Sequence, residues 1–195
     1  MKKLTLLFLI LCAGSAYAQR NSFSFEYSMG FGTGDLGDFN KKASFRGIAL
    51  EWHKYLQPAV AVGFEVGWNV FYNPLPSDTY TSGTASLTGK QYRYQSQFPI
   101  LATVNYYMVS GSKIKPFAGL GVGTMFSRRN LDMATYTFQQ DAWHFAIRPE
   151  IGLLFEMNSE TSAYLGFKYN LGLQAGDLAQ DQTFLGINVG FIFIK

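Results

Sequence analysis

The chain has 195 residues, a formal net charge of +3 and 17% aromatic residues. This length suits a single domain, and so small a positive charge excludes the basic surface that nucleic-acid binding requires. The only cysteine, Cys12, lies in an N-terminal segment that we expect to be removed, which leaves no disulfide and no thiol chemistry. With 20 glycines and scarce helix signals, the composition favours an all-β chain.

The first 18 residues predict a secretory signal peptide. Two lysines form the positive n-region, residues 4–13 form the apolar core, and Ala-Tyr-Ala at 16–18 is a small-x-small cleavage site. The apolar core is shorter than the ~20 residues that a transmembrane helix needs. We therefore expect cleavage after Ala18 and one domain at 19–195. An exported, helix-poor, aromatic-rich chain is either a soluble all-β domain or an outer-membrane barrel.

Eight segments alternate large apolar residues with small or polar residues, a period of two that is typical of a β-strand with one apolar face. The last segment, T-F-L-G-I-N-V-G-F-I-F-I-K at 183–195, shows the pattern most clearly. The eight predicted strands cover approximately residues 22–32, 45–56, 59–72, 92–108, 115–128, 143–157, 163–173 and 183–195.

The predicted connections alternate in length. Tight turns are expected at 57–58, 110–112 and 158–160, and longer polar loops at 33–44, 73–91, 129–141 and 174–182. Short turns at one end and long loops at the other, with an even number of strands, are typical of outer-membrane barrels, whereas a β-sandwich has no reason to alternate in this way.

The two faces of the predicted strands differ in polarity. Nearly all bulky apolar residues share one face, and most charged residues share the other. Phe, Tyr and Trp from every strand are too voluminous for the interior of an eight-stranded barrel, so we expect the apolar face to meet lipid. Backbone pairing in lipid requires a closed barrel. The sequence predicts an all-β fold, an eight-stranded antiparallel up-and-down transmembrane β-barrel, with a soluble barrel as the alternative.

Glycine and proline refine this interpretation. Gly119, Gly121 and Gly123 form an inward stripe that makes room for bulky lumen neighbours. Pro99 and Pro149 lie inside predicted strands, where they remove a ladder hydrogen bond, and we expect a β-bulge at each. A bulge at Pro99 would reverse the faces of part of the fourth strand. The G-x-G-x-x-G motif at 32–37 has no helix after it, so we expect a flexible outer loop.

Four segments resemble the outer membrane protein β-barrel (porin-like) family of Gram-negative bacteria. They are F-P-I-L at 98–101, K-P-F-A-G-L-G-V-G at 115–123, R-P-E-I-G at 148–152 and G-I-N-V-G-F-I-F at 186–193. In size and topology the chain is similar to OmpX- and OmpA-type eight-stranded barrels. The resemblance implies a fold and the bacterial outer membrane rather than an activity. It also implies a last strand that the barrel-insertion machinery reads, with Phe193 in the place of the final aromatic residue.

Charged residues of inward parity predict a polar lumen. Charges that are buried away from water need partners, and eight strands leave an interior that side chains nearly fill. We therefore expect a structural, salt-bridged lumen rather than a wide pore, with a narrow small-solute channel as an alternative. The predicted lumen network consists of Glu26, Glu51, Glu65, Arg93, Arg148, Glu150 and Lys168, and Glu156, His53 and His144 share its parity.

Three cations are candidates for lipid contact. Arg46, Lys90 and Arg128 have outward parity at outer strand ends, where they would meet the phosphates of lipopolysaccharide, although solvated rim charge is the alternative interpretation. The predicted aromatic girdles comprise Trp52, Tyr106 and Phe193 at the inner rim and Trp68, Tyr72, Tyr94 and Trp143 toward the outer rim.

We expect no enzyme activity, no cofactor and no metal. No His, Cys or carboxylate cluster has the spacing of a metal site. A lipid A-modifying enzyme remains an alternative, because His144 is predicted near Asp141 and loop serines, whereas His53 has no serine on its face. The predicted role is structural or interactive, through four surface loops that contact lipopolysaccharide or an unidentified surface partner.

Overall fold

The computed structural model describes residues 20–82, 85–108, 112–133, 136–176, 178 and 180–195. The predicted signal peptide at 1–18 and part of the predicted turn at 110–112 lie outside these residues. Across the described ranges, no helix has the length and hydropathy of a membrane span.

Eight antiparallel strands form a closed barrel in which each strand pairs with its neighbours in sequence and the last strand pairs with the first. The strands are β1 (Asn21–Thr33), β2 (Gly47–Gln57), β3 (Val60–Ser82), β4 (Ala85–Tyr107), β5 (Ile114–Met133), β6 (Tyr136–Glu156), β7 (Thr161–Gly172) and β8 (Gln182–Ile194). The predicted fold class is confirmed. The first residue of β1, Asn21, and the last residue of β8, Ile194, lie at the same end of the barrel, which we call the inner end.

Side chains alternate between the outside and the lumen as the sequence predicts. On β1 and β8, Phe25 and Phe191 are 50% and 48% exposed, whereas Glu26, next to Phe25, is 0% exposed. Lys168 on β7 is also buried in the lumen. A soluble barrel would have the reverse arrangement, so that alternative is wrong.

The strands fall into two length classes, which the sequence did not predict. The strands β3 to β6 have 20 to 23 residues, whereas β1, β2, β7 and β8 have 11 to 13. A tilted strand needs only ~9–11 residues to cross a membrane, so the longer four extend beyond it. We call residues 73–82, 85–93, 129–133 and 136–141 the protruding sheet. The loops predicted at 73–91 and 129–141 are therefore largely strand.

A short helix, α1 (Gly34–Phe39), lies between β1 and β2 at the outer end. This corrects the expectation of a flexible loop at the G-x-G-x-x-G motif. Leu36 is fully buried, and a Cβ atom at Gly32 would overlap its side chain. Gly34 has a φ of 54°, a conformation that glycine adopts without strain. The buried leucine holds this segment against the barrel mouth.

The bulges expected at Pro99 and Pro149 are wrong. The strand registers are the same before and after both prolines, and the irregularities lie at Tyr55/Gln57 and Leu75/Asp78 instead. Each strand residue directs its N–H toward only one neighbouring strand, so a proline disturbs one ladder and leaves the other intact. Pro99 stays paired with Met125 on β5, and the faces of β4 do not reverse.

The lumen contains apolar side chains as well as charges, in three layers. From the inner end, β3 contributes Ala61, Glu65 and Phe71 in that order. The inner apolar layer consists of Ala61, Tyr107, Phe117, Leu154, Tyr164 and Ile192. The ionic layer consists of Glu26, Glu51, Glu65, Arg148, Glu150 and Lys168. The outer apolar layer consists of Leu36, Phe71, Leu101, Met125, Ala146 and Phe184.

Candidate functional site

Lys168 is the centre of the ionic layer. Its Nζ atom donates to Glu26 Oε2 at 2.7 Å, to Glu51 Oε1 at 2.5 Å and to Glu65 Oε2 at 2.8 Å. These carboxylates come from β1, β2 and β3, so one ammonium group joins three strands to β7. Its Nζ also lies 5.5 Å from the Tyr164 ring centroid, against the inner apolar layer.

Arg148 on β6, the strand that pairs with β7, completes the layer. Its Nη2 atom lies 2.7 Å from Glu150 Oε2 and 3.3 Å from Glu51 Oε1. Its Nη1 atom forms an ion pair with Glu65. A Cβ atom at Gly121 would lie 3.4 Å from the guanidinium, so the inward glycine stripe leaves the space that Arg148 occupies.

Carboxylates outnumber cations in the ionic layer. Four glutamates face one arginine and one lysine, and none of the six side chains is more than 3% exposed. Asn188 and Ser24 donate further hydrogen bonds to Glu26, at 2.8 Å and 3.0 Å. His53 Nε2 lies 3.7 Å from Glu51 Oε2 and also contacts Thr103 Oγ1 at 3.1 Å. The layer is a dense brace across five strands.

The carboxylates of Glu51, Glu65 and Glu150 approach within 4.8 Å of one another, which is the spacing of a cation site and corrects the expectation that no carboxylate cluster has such spacing. Arg148 and Lys168 lie among these same oxygens and already supply positive charge. Buried carboxylates with two such partners form an ion-pair network.

Three of the inward charged residues lie away from the ionic layer. Glu156 pairs with Lys115 near the inner rim. His144 is fully buried beside the outer apolar layer, where its Nδ1 donates to the Leu173 carbonyl oxygen at 2.8 Å and its Nε2 has no hydrogen-bond partner among the described residues. Arg93 lies at the outer mouth. It was predicted to join the network. Its parity correctly placed it on the inward face, but Arg93 lies farther toward the outer end than the ionic layer.

Uncharged amides fill the lumen in the outer part of the barrel. Gln182 Oε1 accepts hydrogen bonds from Gln95 and Gln97, and Ser127 Oγ donates to Gln97 Oε1. All four side chains are 0% exposed. At the inner end, a cavity of about 620 Å³ has Tyr107 in its wall, and none of its lining residues belongs to the ionic layer. The cavity therefore ends at the inner apolar layer.

The outer mouth contains two arginines on the ring of Phe39, the last residue of α1. The guanidinium carbons of Arg93 and Arg129 lie 5.0 Å and 4.3 Å from the ring centroid. Arg93 Nη1 donates to the Phe39 carbonyl oxygen at 3.2 Å, and Arg129 Nη1 donates to Gln180 Oε1 at 2.8 Å. Cation–π contact of this kind fastens α1 to β4 and β5.

The three candidate lipid-binding cations do not form one group. Arg46 and Arg128 lie in one row across the outside of the barrel. The Arg46 carbonyl oxygen accepts a hydrogen bond from the Val70 N–H on β3. Val70 pairs with Ser96 on β4, and Ser96 pairs with Arg128 on β5. Three strand steps of ~4.8 Å separate their backbones by about 14 Å. Lys90 is six residues from Ser96 on β4, about 20 Å farther out on the protruding sheet.

Aromatic side chains border the Arg46–Arg128 row. The Tyr72 and Tyr94 rings are 4.8 Å apart, and the Arg46 guanidinium lies 5.8 Å from the Tyr72 centroid. Arg128 lies 5.4 Å from the Phe126 centroid. Aromatic residues next to cations are typical of the level where acyl chains meet lipid headgroups.

Sequence reasoning missed the inward apolar residues and the mouth. A signal for the apolar layers was present, since Val70-Phe71-Tyr72 and Phe184-Leu185 are places where consecutive residues are apolar and the alternation fails. Such runs indicate strands that are apolar on both faces. No local signal brings α1 to Arg93 and Arg129, because these residues are more than 50 positions apart in the chain.

A closed strand ring with apolar side chains outside and charges enclosed defines an integral membrane barrel. The chain belongs to the outer membrane protein β-barrel domain family, whose sequence profile matches residues 4–193. It is therefore a protein of the bacterial outer membrane. No match was found among curated proteins.

Solved structures with the same fold are distant in sequence. Ail, the attachment invasion locus protein of Yersinia pestis, is 8% identical with a TM-score of 0.52, over 91% of this chain and 97% of Ail. Neisserial surface protein A is 11% identical with a TM-score of 0.49, over 90% of this chain and 95% of that one. At this identity the likeness concerns the fold alone.

Proposed function

We propose that the protein is a non-conducting, non-catalytic barrel that is seated in the outer leaflet by lipopolysaccharide contact and presents its protruding sheet to a surface partner. The observation that carries this proposal is the contrast between a lumen filled by stacked layers and four strands that extend outside. A barrel with this lumen has little to transport, and the protruding sheet is the part that a partner would reach.

The stacked layers argue against a channel. An ion that crossed the barrel would have to displace the inner apolar layer, break the contacts of Lys168 and Arg148, and then pass Leu36. Each apolar layer presents a dewetted barrier, and each ion-pair contact is buried. The amide layer of Gln95, Gln97 and Gln182 is equally filled.

The protruding sheet supplies two different edges. Within the described residues, β3 beyond Val70 pairs only with β4, and its edge carries Pro74 and a register irregularity at Leu75/Asp78. Proline and bulges protect an edge from pairing with another chain. Tyr136–Asp141 of β6 pairs only with β5 and contains no proline. A partner strand would therefore add to the β6 edge.

Lipid contact is supported by the row that joins Arg46 and Arg128. Both side chains are exposed and face outward next to aromatic rings. Arginine binds phosphate oxygens through two parallel N–H donors, and lipid A carries such phosphates. Lys90 is too far out to share a headgroup with them, and we assign it to the protruding sheet.

Single-channel recording in planar bilayers tests the closed lumen. We expect no steady current from the wild type or from Leu36→Ala, because the ionic and inner apolar layers remain in that variant. A porin recorded in the same bilayers controls for their quality. Stepwise, ohmic openings of the wild type would overturn the proposal in favour of a narrow channel.

Titration of lipopolysaccharide onto barrels in nanodiscs tests the lipid contact. Replacing both arginines, Arg46→Gln/Arg128→Gln, removes two charge-assisted contacts, and we expect affinity to fall by roughly tenfold or more. Lys113→Gln removes an exposed charge at the inner end and is the matched control. Equal affinity of the double variant and the wild type would refute the contact.

The non-catalytic assignment has its own test. His144 is buried and its Nδ1 is engaged by the Leu173 carbonyl oxygen, so a lipid ester does not reach it from outside the barrel. We expect purified protein to release no acyl chains from lipid A, as measured by mass spectrometry. Release that His144→Ala abolishes would establish the lipid-modifying alternative instead.

A further inference from the structure

We propose that Arg93 and Arg129 form an oxyanion-binding site at the outer mouth of the lumen, which takes a phosphate or sulfate group carried on a sugar. The site lies inside the rim, above the amide layer, whereas Arg46 and Arg128 face lipid on the outside of the wall. It is therefore independent of the lipid contact proposed above.

The first argument is uncompensated charge. Among the described residues, neither guanidinium has a carboxylate within ion-pair distance. Asp35 of α1 interacts electrostatically with Arg129 but stays beyond that distance. Two like charges on one small ring repel each other, and an anion between them would remove this repulsion.

The second argument is the nature of the existing partners, which are all neutral. Arg93 Nε donates to Gln91 Oε1 at 3.0 Å and Nη1 donates to a backbone oxygen. Arg129 donates to the amide oxygens of Gln95 and Gln180, at 3.4 Å and 2.8 Å. These neutral oxygens orient the two guanidinium groups without neutralising their charge.

The third argument is an unused donor. Arg129 Nη2 is buried and has no hydrogen-bond partner in the described structure. A buried N–H without an acceptor is unfavourable, and a charged one more so. An oxyanion supplies the acceptor and the charge together, and planar guanidinium groups match the oxygens of phosphate and sulfate.

Phe39 preorganises the site. Its ring contacts both guanidinium groups and limits their rotation, and α1 is itself held by the buried Leu36. Both arginines are partly exposed, so the site opens to the outside. A mouth of this kind accepts a small charged group on an extended glycan more readily than a folded domain.

The experiment uses the exported protein refolded in phosphatidylcholine nanodiscs, which contain no phosphorylated glycolipid. Calorimetric titration compares inorganic phosphate, glucose 1-phosphate and myo-inositol hexakisphosphate. We expect saturable binding that is tighter for the two sugar-like phosphates, and a loss of about tenfold or more in Arg93→Gln/Arg129→Gln. Tighter binding of inorganic phosphate would identify a free anion as the ligand and refute the glycan.

Two variants distinguish binding at a specific site from attraction to the general positive charge of the outer surface. Lys42→Gln removes one exposed charge from the same outer surface, and we expect its affinity to stay within about twofold of the wild type. Arg93→Lys/Arg129→Lys retains both charges but loses the planar forks, and we expect binding several times weaker.

Three results would overturn the inference. They are no saturable binding by the wild type, equal loss in Lys42→Gln and the double glutamine variant, or full affinity in the double lysine variant. A gel shift on heating verifies that each variant is a folded barrel. None of these variants changes Arg46 or Arg128. The lipopolysaccharide contact proposed for those two residues is therefore tested independently.

Discussion

The ionic layer and the outer mouth both enclose arginine, yet they balance charge in opposite ways. In the ionic layer, four carboxylates surround Arg148 and Lys168, and every charged group touches an opposite charge. At the mouth, Arg93 and Arg129 share a phenyl ring and have only neutral acceptors.

This difference separates stability from binding. Buried ion pairs offset one another's charge, and removal of one member leaves an uncompensated partner in a low dielectric. Cations that are oriented but not neutralised are suited to an incoming anion. The contacts in the middle of the barrel therefore favour a structural role, and those at the mouth favour the proposed recognition of an anion.

The largest expected effect comes from breaking the ionic layer at its centre. Lys168→Met removes the ammonium group that three glutamates share, so we expect a loss of about 3–5 kcal/mol in the free energy of unfolding. Urea unfolding in lipid vesicles, followed by tryptophan fluorescence, measures this loss. A change below about 1 kcal/mol would show that the layer does not brace the barrel.

A smaller and local effect is expected at the mouth. Leu36→Ala leaves a cavity under α1 and should weaken its docking by about 2–3 kcal/mol, in the lower part of the range for such truncations. Because α1 is a six-residue helix at the outer end of the barrel, the urea midpoint should change little while amide exchange of residues 34–40 accelerates. Global unfolding at much lower urea would contradict this division between mouth and middle.

The space available for an added Cβ atom differs between the barrel and the protruding sheet. A Cβ atom at Gly63 would overlap the Trp52 carbonyl oxygen, so Gly63→Ala should destabilise by about 1–3 kcal/mol. At Gly89 the nearest atom is Met133 Cγ at 4.0 Å, and Gly89→Ala should be nearly neutral. The same vesicle unfolding assay compares them, and equal losses would mean that the protruding sheet is packed like the barrel.

The smallest effect is expected from the partly exposed ion pair of Lys115 and Glu156. Lys115 and Glu156 are 30% and 38% exposed, and solvent screens their attraction. We expect Lys115→Met to change stability by at most about 1 kcal/mol, with the difference vanishing in high salt. It is the matched control for Lys168→Met, and a loss as large as in that variant would remove the distinction between buried and exposed pairs.

Much of the wall could be predicted, and the reasons are local. The alternation of Phe25 with Glu26 follows from the period of two of any strand, so it is visible without knowledge of the neighbouring strands. The two prolines misled because a bulge and a one-sided ladder gap are equally compatible with the sequence around Pro99. The protruding sheet was missed because polar residues on both faces remove the alternation on which strand prediction depends.

The amino-acid sequence by itself determined the number of strands in the barrel, the face on which each side chain lies and the membrane that the barrel inhabits, since these depend on short-range periodicity and composition. Only the tertiary structure decided the height of each inward residue, because height is set by the register between strands that are distant in sequence. Arg93 and Lys168 share the same parity, yet one lies at the mouth beside Arg129 and the other lies among three glutamates.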